Sequence, residues 1–474
     1  MIDPPIPARV AALADATRRF MRFFTESPYA HKAGTPGVND FAVGNPHELA
    51  LPGLVEALRR WSVPQDERWY AYKLSEPRAQ EIVAASLRAW RGIPFEPEDI
   101  AMTNAGFGAI AVGLKAVTSP GDEVIFSLPP WFFYEVLCIE AGLAPVKVRT
   151  QPETFDLDLD AIAAAITPRT RVVIVNTPNN PTGRIYPPAM LAALARLLDE
   201  ASARHGHRIY ILSDEPYSRI VFDGRPFHSP TAFYPHTLLA YSYGKVLLAP
   251  GQRIGFLALS PTMPEREELR RCVMLCQLAG GHLWPNALLQ HALGDLDVLS
   301  IDIAHLQRKR DRMVAELRGM GYHVHLPEGT FYLLPRSPWD DDVAFCDLLG
   351  ERDILVLPGS VTELSGYFRI SLTANDEMIE QRCRGSAGRS STRVPTSPAV
   401  RPARRLRSRA DADFTAPGAA APPFRRGSRA PRAIFQWTSA TRRVTVRPAK
   451  RITARYTPGA TGSPDSPRPS HSRT

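Results

Sequence analysis

The sequence has 474 residues, a length that favours two or more domains over one compact core. Its net charge of +9 suggests a nucleic-acid-binding protein, but 21 Lys and Arg residues and only three Asp residues lie from Gln381 onward, so the first 380 residues carry a net charge of −9. No apolar stretch approaches roughly 18 residues and the N-terminus lacks a signal-peptide pattern, so a membrane protein is excluded and a cytoplasmic location is expected.

The middle of the chain, from about residue 97 to residue 261, alternates short apolar runs with helical patterns, which is typical of a doubly wound parallel sheet. Apolar residues at helical spacing from 190 to 198 predict a crossover helix, and another helix is expected over 108–117. Beyond residue 261 a long helix over 299–320 precedes two strands of a smaller domain, 329–334 and 368–372. The strands predicted for the sheet are 123–128, 171–176, 208–213, 238–243 and 253–259.

The last part of the chain, 381–474, changes to Arg, Pro, Ser and Ala without apolar periodicity, and 12 of its 94 residues are proline. Such a composition cannot bury enough apolar surface to offset the entropy lost on ordering, so a disordered C-terminal tail is predicted. Two hypotheses for it are a basic segment that binds nucleic acid and out-of-frame translation of GC-rich DNA.

The most specific pattern runs from Ser242 to Lys245 and continues to Arg253 in the run PGQRIG. Lys245 is expected to end an apolar strand at the carboxyl edge of the sheet, where open α/β sheets bind ligands. A partly desolvated amine at that place can be neutral enough to attack an aldehyde. Ser242 and Arg253 supply a hydroxyl and a guanidinium suited to a phosphate. A lysine beside a glycine turn, with no ligand, is the alternative.

This pattern resembles the cofactor-lysine signature of the class I/II aminotransferases, which are fold type I enzymes that depend on pyridoxal 5'-phosphate (PLP). The resemblance covers roughly residues 35 to 378, with several motifs in the family's order. It implies that Lys245 holds the cofactor as a Schiff base. It also implies an α/β fold, with a large domain that has a mostly parallel sheet between helices and a smaller α+β domain. No metal site is predicted, because the five cysteines form no metal-binding pair.

The resemblance sets the expected domain boundaries. Residues 1–46 are expected to join the small domain, 47–284 to form the large PLP-binding domain, and 285–380 to form the small domain, with 381–474 as the tail.

Two further motifs of the resemblance are expected to contact the pyridine ring of the cofactor. Asp214 follows an apolar run, and a carboxylate facing the ring nitrogen keeps the ring protonated. Tyr217 and Asn180, the latter in the run NTPNNPTG, are expected to contact the ring oxygen O3′ from opposite sides, and Asn180 also lies among the expected substrate-binding residues. Without the resemblance, both motifs would be interpreted as turns that follow strands.

The cofactor phosphate and the ring face have candidates near residues 105 and 131. Ala105, Gly106 and Phe107 lie where a predicted strand passes into a helix. At such a place, free backbone N–H groups and the positive end of the helix dipole suit a phosphate. Trp131 resembles the aromatic residue that the family stacks on the ring. Packing in the core is the alternative for Trp131, since three more aromatic residues follow it.

The substrate and the oligomer have three candidate residues. Arg369 lies in a predicted strand interior, where a guanidinium is either a partner for the substrate carboxylate or a costly core charge. Gly44 is a second substrate-binding candidate. Tyr70, seven residues before Pro77, resembles the tyrosine that reaches the phosphate of the neighbouring subunit, and Tyr72 competes for this assignment. The resemblance therefore implies a homodimer with shared active sites.

The predicted function is the transfer of an amino group from an amino acid to a 2-oxo acid, with Lys245, Asp214 and Tyr217 as the catalytic residues. A PLP-dependent carbon–sulfur lyase that runs β-elimination and an inactive, truncated aminotransferase homologue are the alternatives. An effector-sensing domain of a transcription regulator is disfavoured, because only about 35 residues precede the resemblance.

Phe107 gives an expectation about the substrate side chain. In some bacterial aspartate aminotransferases of this family, a lysine at the corresponding place meets the distal carboxylate of the substrate. A phenyl ring cannot pair with that charge, so neutral apolar or aromatic amino acids are expected to be preferred to aspartate. The alternative is that Phe107 points into the core of the large domain.

Overall fold

The structure is a computed structural model that describes residues 6–380, and the tail discussed above lies outside the described residues. Twelve strands occur in that part of the chain: β1 (Asn39–Asp40), β2 (Ile100–Thr103), β3 (Glu123–Leu128), β4 (Ala144–Arg149), β5 (Thr170–Asn176), β6 (Tyr210–Asp214), β7 (Thr237–Ser242), β8 (Gly255–Leu259), β9 (Tyr332–Leu333), β10 (Ile354–Leu355), β11 (Leu357–Pro358) and β12 (Phe368–Ser371).

Seven of these strands form the main sheet, in the order β2-β8-β7-β6-β5-β3-β4. Strands β3 to β7 pair in parallel with one another, while β8 runs antiparallel to both β2 and β7. Every residue of β6 and β7 is buried, as expected of strands with helices on both faces of the sheet. The predicted α/β fold with a mostly parallel sheet is confirmed, and the one antiparallel strand inside it was not predicted.

Fourteen α-helices accompany the strands in the described residues, and several begin with proline, which suits the first helical turn. Glycines in the left-handed conformation, Gly92 and Gly206, end α4 and α8. The helices are α1 (Ala8–Glu26), α2 (Pro28–Lys32), α3 (Pro52–Trp61), α4 (Pro77–Arg91), α5 (Ala105–Val117), α6 (Tyr134–Glu140), α7 (Leu159–Ala165), α8 (Pro188–His205), α9 (Tyr243–Val246), α10 (Arg266–Ala279), α11 (Ala287–His291), α12 (Leu293–Asp297), α13 (Ile303–Gly319) and α14 (Asp342–Glu351).

Three predicted elements begin three or four residues away from their predicted first residue. Helix α13 begins at Ile303 rather than at residue 299, because the Asp302 side chain accepts a hydrogen bond from the His305 amide and caps the helix there. Helix α5 begins three residues earlier than predicted. The strand expected over 329–334 is reduced to β9, two residues long.

The second part of the fold has two small sheets, one in the order β11-β12-β9 and one that pairs β1 with β10. Its core contains aromatic residues such as Phe331, Phe345 and Phe368. Phe23 near the N-terminus shares a separate apolar cluster with Leu355, so the N-terminal segment packs on this part of the fold. The boundaries expected for the two domains stay predictions. Within residues 6–380 no helix is both long and apolar enough to cross a membrane.

Candidate active site

A cleft of about 520 Å³ opens at the carboxyl edge of the main sheet. Strands β5, β6 and β7 end there, at Asn176, Asp214 and Ser242, which is where open α/β sheets bind ligands. The residues that line the cleft are Gly106, Phe107, Ile110, Trp131, Asn176, Asn180, Asp214, Pro216, Tyr217, Ser242, Lys245 and Arg253. The structure thus brings together residues predicted from five separate sequence motifs.

Lys245 contributes the primary amine of the cleft. It does not end a strand as predicted, because β7 stops at Ser242 and Lys245 lies in the single turn of α9. Its Nζ is 5.7 Å from the centre of the Tyr217 ring and 5.8 Å from that of Phe331. No carboxylate in residues 6–380 forms an ion pair with this amine, so it is available to a ligand in the cleft.

Asp214 is a buried carboxylate with two unlike oxygens. Its Oδ2 accepts hydrogen bonds from the Tyr134 hydroxyl at 2.5 Å and from Asn176 Nδ2 at 3.3 Å. Burial raises the pKa of Asp214 to about 7, even though the hydrogen bond from Tyr134 and the charge of Lys245 lower it, and the neighbouring Glu215 raises it further. A cationic ring nitrogen opposite this carboxylate would compensate the burial of its charge.

Tyr217 lines the cleft, and its side chain is buried in the cleft wall. Burial, and a hydrogen bond with Tyr332, raise the pKa of Tyr217 well above its usual range, so its hydroxyl stays a donor. Burial also raises the pKa of Tyr332, but the charges of Arg369 and Lys245 outweigh this effect and leave it lowered. Tyr217 and Tyr332 therefore lie together beside the positive charges of Arg369 and Lys245.

Arg369 is a buried guanidinium without a carboxylate partner among the described residues. It donates to Asn180 Oδ1 at 3.1 Å and to the Ala42 carbonyl at 3.0 Å, and it lies 4.0 Å from the centre of the Tyr332 ring. Its Nε has no hydrogen-bond partner in residues 6–380. A Cβ on Gly44 would come within 2.5 Å of the hydroxyl of Tyr332, the residue on whose ring Arg369 stacks, so a side chain at position 44 would displace Tyr332. The arrangement suits a carboxylate ligand.

The first turn of α5 faces Ser242 at one end of the cleft. Helix α5 begins at Ala105, and a Cβ on Gly106 would lie 3.5 Å from Ser242 Cβ. Arg253 lines the same end and is exposed. A Cβ on Gly255 would come within 2.8 Å of the Ala105 Cα, so this glycine lets β8 approach the start of the helix. Backbone N–H groups, a hydroxyl and a guanidinium thus converge where an anion would bind.

The aromatic residues after Leu128 lie in different places: some face the cleft and one packs on α1. Trp131 lines the cleft, and its ring meets the Phe107 ring edge to face at 5.4 Å. Phe133 contacts both rings at similar distances, while Phe132 packs on Phe20 of α1 at 4.9 Å. Trp131 and Phe107 therefore face the cleft, although both also pack on the core beside it.

Tyr70 lies outside the cleft of its own chain. It is exposed, and its hydroxyl donates to the Ser62 carbonyl. Tyr72 is more exposed still and contacts Trp284. The structure of one chain therefore does not bring either tyrosine to the predicted phosphate site.

Three lining residues were not assigned a role from the sequence: Ile110, Asn176 and Pro216. Ile110 lies one helical turn after Phe107, and Pro216 lies between the predicted site residues Asp214 and Tyr217. Helical spacing and adjacency in the sequence therefore indicate that both residues line the cleft. Tyr134, which binds Asp214 across 80 positions of the sequence, carried none.

Comparison with known proteins agrees with this geometry. The model of the family described as aminotransferase class I and II matches residues 37–385. The chain is 32% identical over 349 residues to an aspartate/prephenate aminotransferase of Thermus thermophilus, and the match covers 70% of this chain and 86% of that protein. It is 31% identical over 360 residues to the protein of the same name from Cereibacter sphaeroides, covering 71% and 87%.

Among solved structures, an amino transferase from Eubacterium rectale superposes with a TM-score of 0.71 at 29% identity. The superposition covers 80% of this chain and 94% of that one.

Proposed function

Because the chain belongs to the class I and II aminotransferase family, we propose that Lys245, Asp214 and Tyr217 are its catalytic residues. The protein is a PLP-dependent enzyme that moves an amino group from an amino acid to a 2-oxo acid. When bound, the cofactor supplies an electron sink for the substrate Cα, which no side chain can provide.

The residues of the cleft fit this cofactor. The start of α5 with Ser242 and Arg253 would hold the phosphate, and Trp131 would cover the ring. Asp214 would face the ring nitrogen, and its buried carboxylate, whose pKa is raised by burial, needs a positive partner of that kind. Tyr217 and Asn180 would contact the ring oxygen.

The substrate carboxylate would bind Arg369, with Gly44 and Asn180 beside it. The Lys245 amine would then move the proton at the substrate Cα. The observation that carries this proposal is a single cleft lined by one amine, Lys245, and one buried carboxylate, Asp214. The buried Arg369 guanidinium, which has no carboxylate partner among the described residues, donates to Asn180 in the wall of this cleft.

A screen of amino donors and 2-oxo acid acceptors on the purified protein tests the reaction. The oxo product and ammonia should be measured separately. Transfer yields a new amino acid and no ammonia, whereas β-elimination releases ammonia together with an oxo acid, and that outcome would contradict the proposal.

We propose that the substrate side chain is neutral and apolar or aromatic. The support is that Phe107 faces the cleft beside Trp131. Both relatives described above are named for aspartate and prephenate. In this protein, however, an acidic substrate would have to bury its distal carboxylate against the phenyl ring of Phe107, which costs several kcal/mol.

Phenylalanine should therefore exceed aspartate in kcat/KM by about tenfold or more, and Phe107→Lys should lower that ratio by at least a similar factor. Steady-state kinetics with phenylalanine, leucine and aspartate provide the measurement. Phe107→Leu is the matched control, since it keeps the site apolar and should keep the preference. A wild-type enzyme that prefers aspartate would refute this assignment.

We propose a homodimer with shared active sites. An exposed apolar surface supports it, formed by Tyr72 and Leu74 close to Tyr70, by Met274, Leu275 and Leu278 of α10, and by Trp284, which contacts Tyr72. Contiguous exposed apolar residues of this kind mark protein interfaces. Tyr70 borders this surface and would reach the phosphate of the partner's cofactor.

The double variant Leu275→Glu, Leu278→Glu should be monomeric in sedimentation velocity at concentrations where the wild type is a dimer, because two buried carboxylates would be unpaired in the interface. Val298→Glu is the control, since Val298 is just as apolar and 80% exposed but lies elsewhere. A double variant that remains dimeric would remove the surface from the proposal.

Shared sites are tested by mixing inactive subunits. Lys245→Ala chains mixed with Tyr70→Ala chains should regain activity, because one site of each hybrid dimer then has both residues. No gain on mixing would mean that Tyr70 does not serve the partner's site. The cytoplasmic location expected from the sequence stays a prediction.

A further inference from the structure

The two oxygens of the Asp214 carboxylate have different surroundings. Oδ2 accepts from Tyr134 and from Asn176, at 2.5 and 3.3 Å. Oδ1 accepts no hydrogen bond from any residue in the described range, and Asp214 lines the cleft. One oxygen is therefore held on the protein side, which leaves the other for a ligand.

Tyr134 is well placed to fix that orientation. It is the first residue of α6 and is 2% exposed. Its ring is packed against Phe126 at 5.8 Å and Trp131 at 5.4 Å. Burial and the nearby Asp214 raise the pKa of Tyr134 well above its usual range, so the hydroxyl keeps its hydrogen, and that one donor is directed at Asp214.

The proton affinity of Asp214 depends on few neighbours. The groups that face it are Tyr134 from α6, Tyr217, Lys245 from α9, and Glu215. Glu215 forms an ion pair with Arg91 at 2.6 Å. A charge-assisted hydrogen bond of 2.5 Å favours the ionised carboxylate over the neutral acid.

We propose that Tyr134 is a positioning residue: its hydroxyl holds Oδ2 of Asp214 so that Oδ1 meets the ring nitrogen of the bound cofactor as a carboxylate. This inference rests on the role proposed above for Asp214. Without Tyr134, the proton shared by Asp214 and the ring nitrogen would lie nearer to Asp214, and the ring would be a weaker electron sink.

The test uses Tyr134→Phe, which removes one hydroxyl and keeps the ring. The control is Tyr234→Phe, which removes a buried hydroxyl that donates to the Ile209 carbonyl at 2.7 Å, away from Asp214. Each protein is reconstituted with PLP labelled with ¹⁵N in its ring, and the ring nitrogen is observed by NMR. The dissociation constant for PLP is measured on the stripped protein.

Tyr134→Phe should move the ring ¹⁵N signal toward that of an unprotonated pyridine and weaken PLP binding roughly ten- to a hundredfold, the effect of one hydrogen bond to a charged group. It should lower kcat more than it changes KM. Tyr234→Phe should lose about as much thermal stability as Tyr134→Phe, because each variant loses one buried hydroxyl. The ¹⁵N signal and the PLP affinity of Tyr234→Phe should stay as in the wild type.

Asp214→Asn separates the two possible failures. If this variant shifts the ¹⁵N signal and Tyr134→Phe does not, the inference about Tyr134 is overturned and the role of Asp214 stands. If Asp214→Asn leaves the signal unchanged, the proposed role of Asp214 fails, and the inference about Tyr134 fails with it.

Discussion

Lys245→Ala should lower kcat for amino-group transfer by roughly four orders of magnitude or more, because it removes the only primary amine among the described residues that line the cleft. No other lysine of the described chain lies among the lining residues, so no neighbour can replace it in attaching the cofactor or in moving the proton at the substrate Cα. The loss should appear in kcat and in kcat/KM together.

The control for this prediction is Lys115→Ala. Lys115 is in the last turn of α5, outside the cleft, and its removal takes away a lysine of the same part of the fold. That variant should keep its activity. Circular dichroism and sedimentation velocity should show that Lys245→Ala remains folded and has the same oligomeric state as the wild type. If Lys245→Ala keeps full activity, the proposed catalytic role of Lys245 is wrong.

Arg369→Ala should lower kcat/KM for amino acids by roughly a hundred- to a thousandfold, mostly through KM. A buried guanidinium that pairs with a carboxylate contributes on the order of 2–5 kcal/mol to binding, and its removal leaves the ligand charge unpaired. Arg369→Lys should recover only part of the loss, because an ammonium cannot form the two parallel hydrogen bonds of a guanidinium.

Comparison with a substrate that lacks the carboxylate isolates this effect. The ratio of kcat/KM for phenylalanine to that for phenethylamine should fall sharply in Arg369→Ala, since the amine gains nothing from the arginine in the wild type. An unchanged ratio would place the carboxylate site elsewhere in the cleft. A fall in both rates by the same factor would instead indicate damage to the structure around Asn180 and Tyr332.

Much of the main sheet was predictable, because its strands are buried on both faces and appear as apolar, β-branched runs. Strand β3 was predicted to the residue, and β5 and β6 to within two residues at either end. The reversed direction of β8 was not predicted, since a buried strand has the same composition in either direction. Pairing with β2 and β7 fixes the direction of β8, and that pairing is a long-range property.

The smaller part of the fold was less predictable. Strand β9 has only two residues, and its neighbours β11 and β12 are also short, so periodicity has little length in which to appear. The start of α13 has a local signal in the sequence: the apolar pattern extends back to Leu299, but the Asp302 side chain caps the helix, so the helix begins at Ile303.

The candidate site was predictable where short motifs carry it, as for Lys245 and Asp214, because Asp214 ends β6 and Lys245 follows the end of β7 by three residues, at the same edge of the sheet. The contact of Tyr134 with Asp214 and the stacking of Arg369 on Tyr332 were not, because they join residues far apart in sequence. The sequence left open whether Arg369 binds a ligand or is a core charge, and the structure adds that no described carboxylate neutralises it.

The most direct test is chemical trapping of the cofactor on the wild-type protein. After reconstitution with PLP, reduction with sodium borohydride and proteolysis, mass spectrometry should find one phosphopyridoxyl group per chain, on the peptide that contains Lys245. Lys245→Ala treated in the same way should have none. A phosphopyridoxyl group on a different lysine of the wild type, or none at all after saturation with PLP, would contradict the assignment of Lys245 as the cofactor-binding residue.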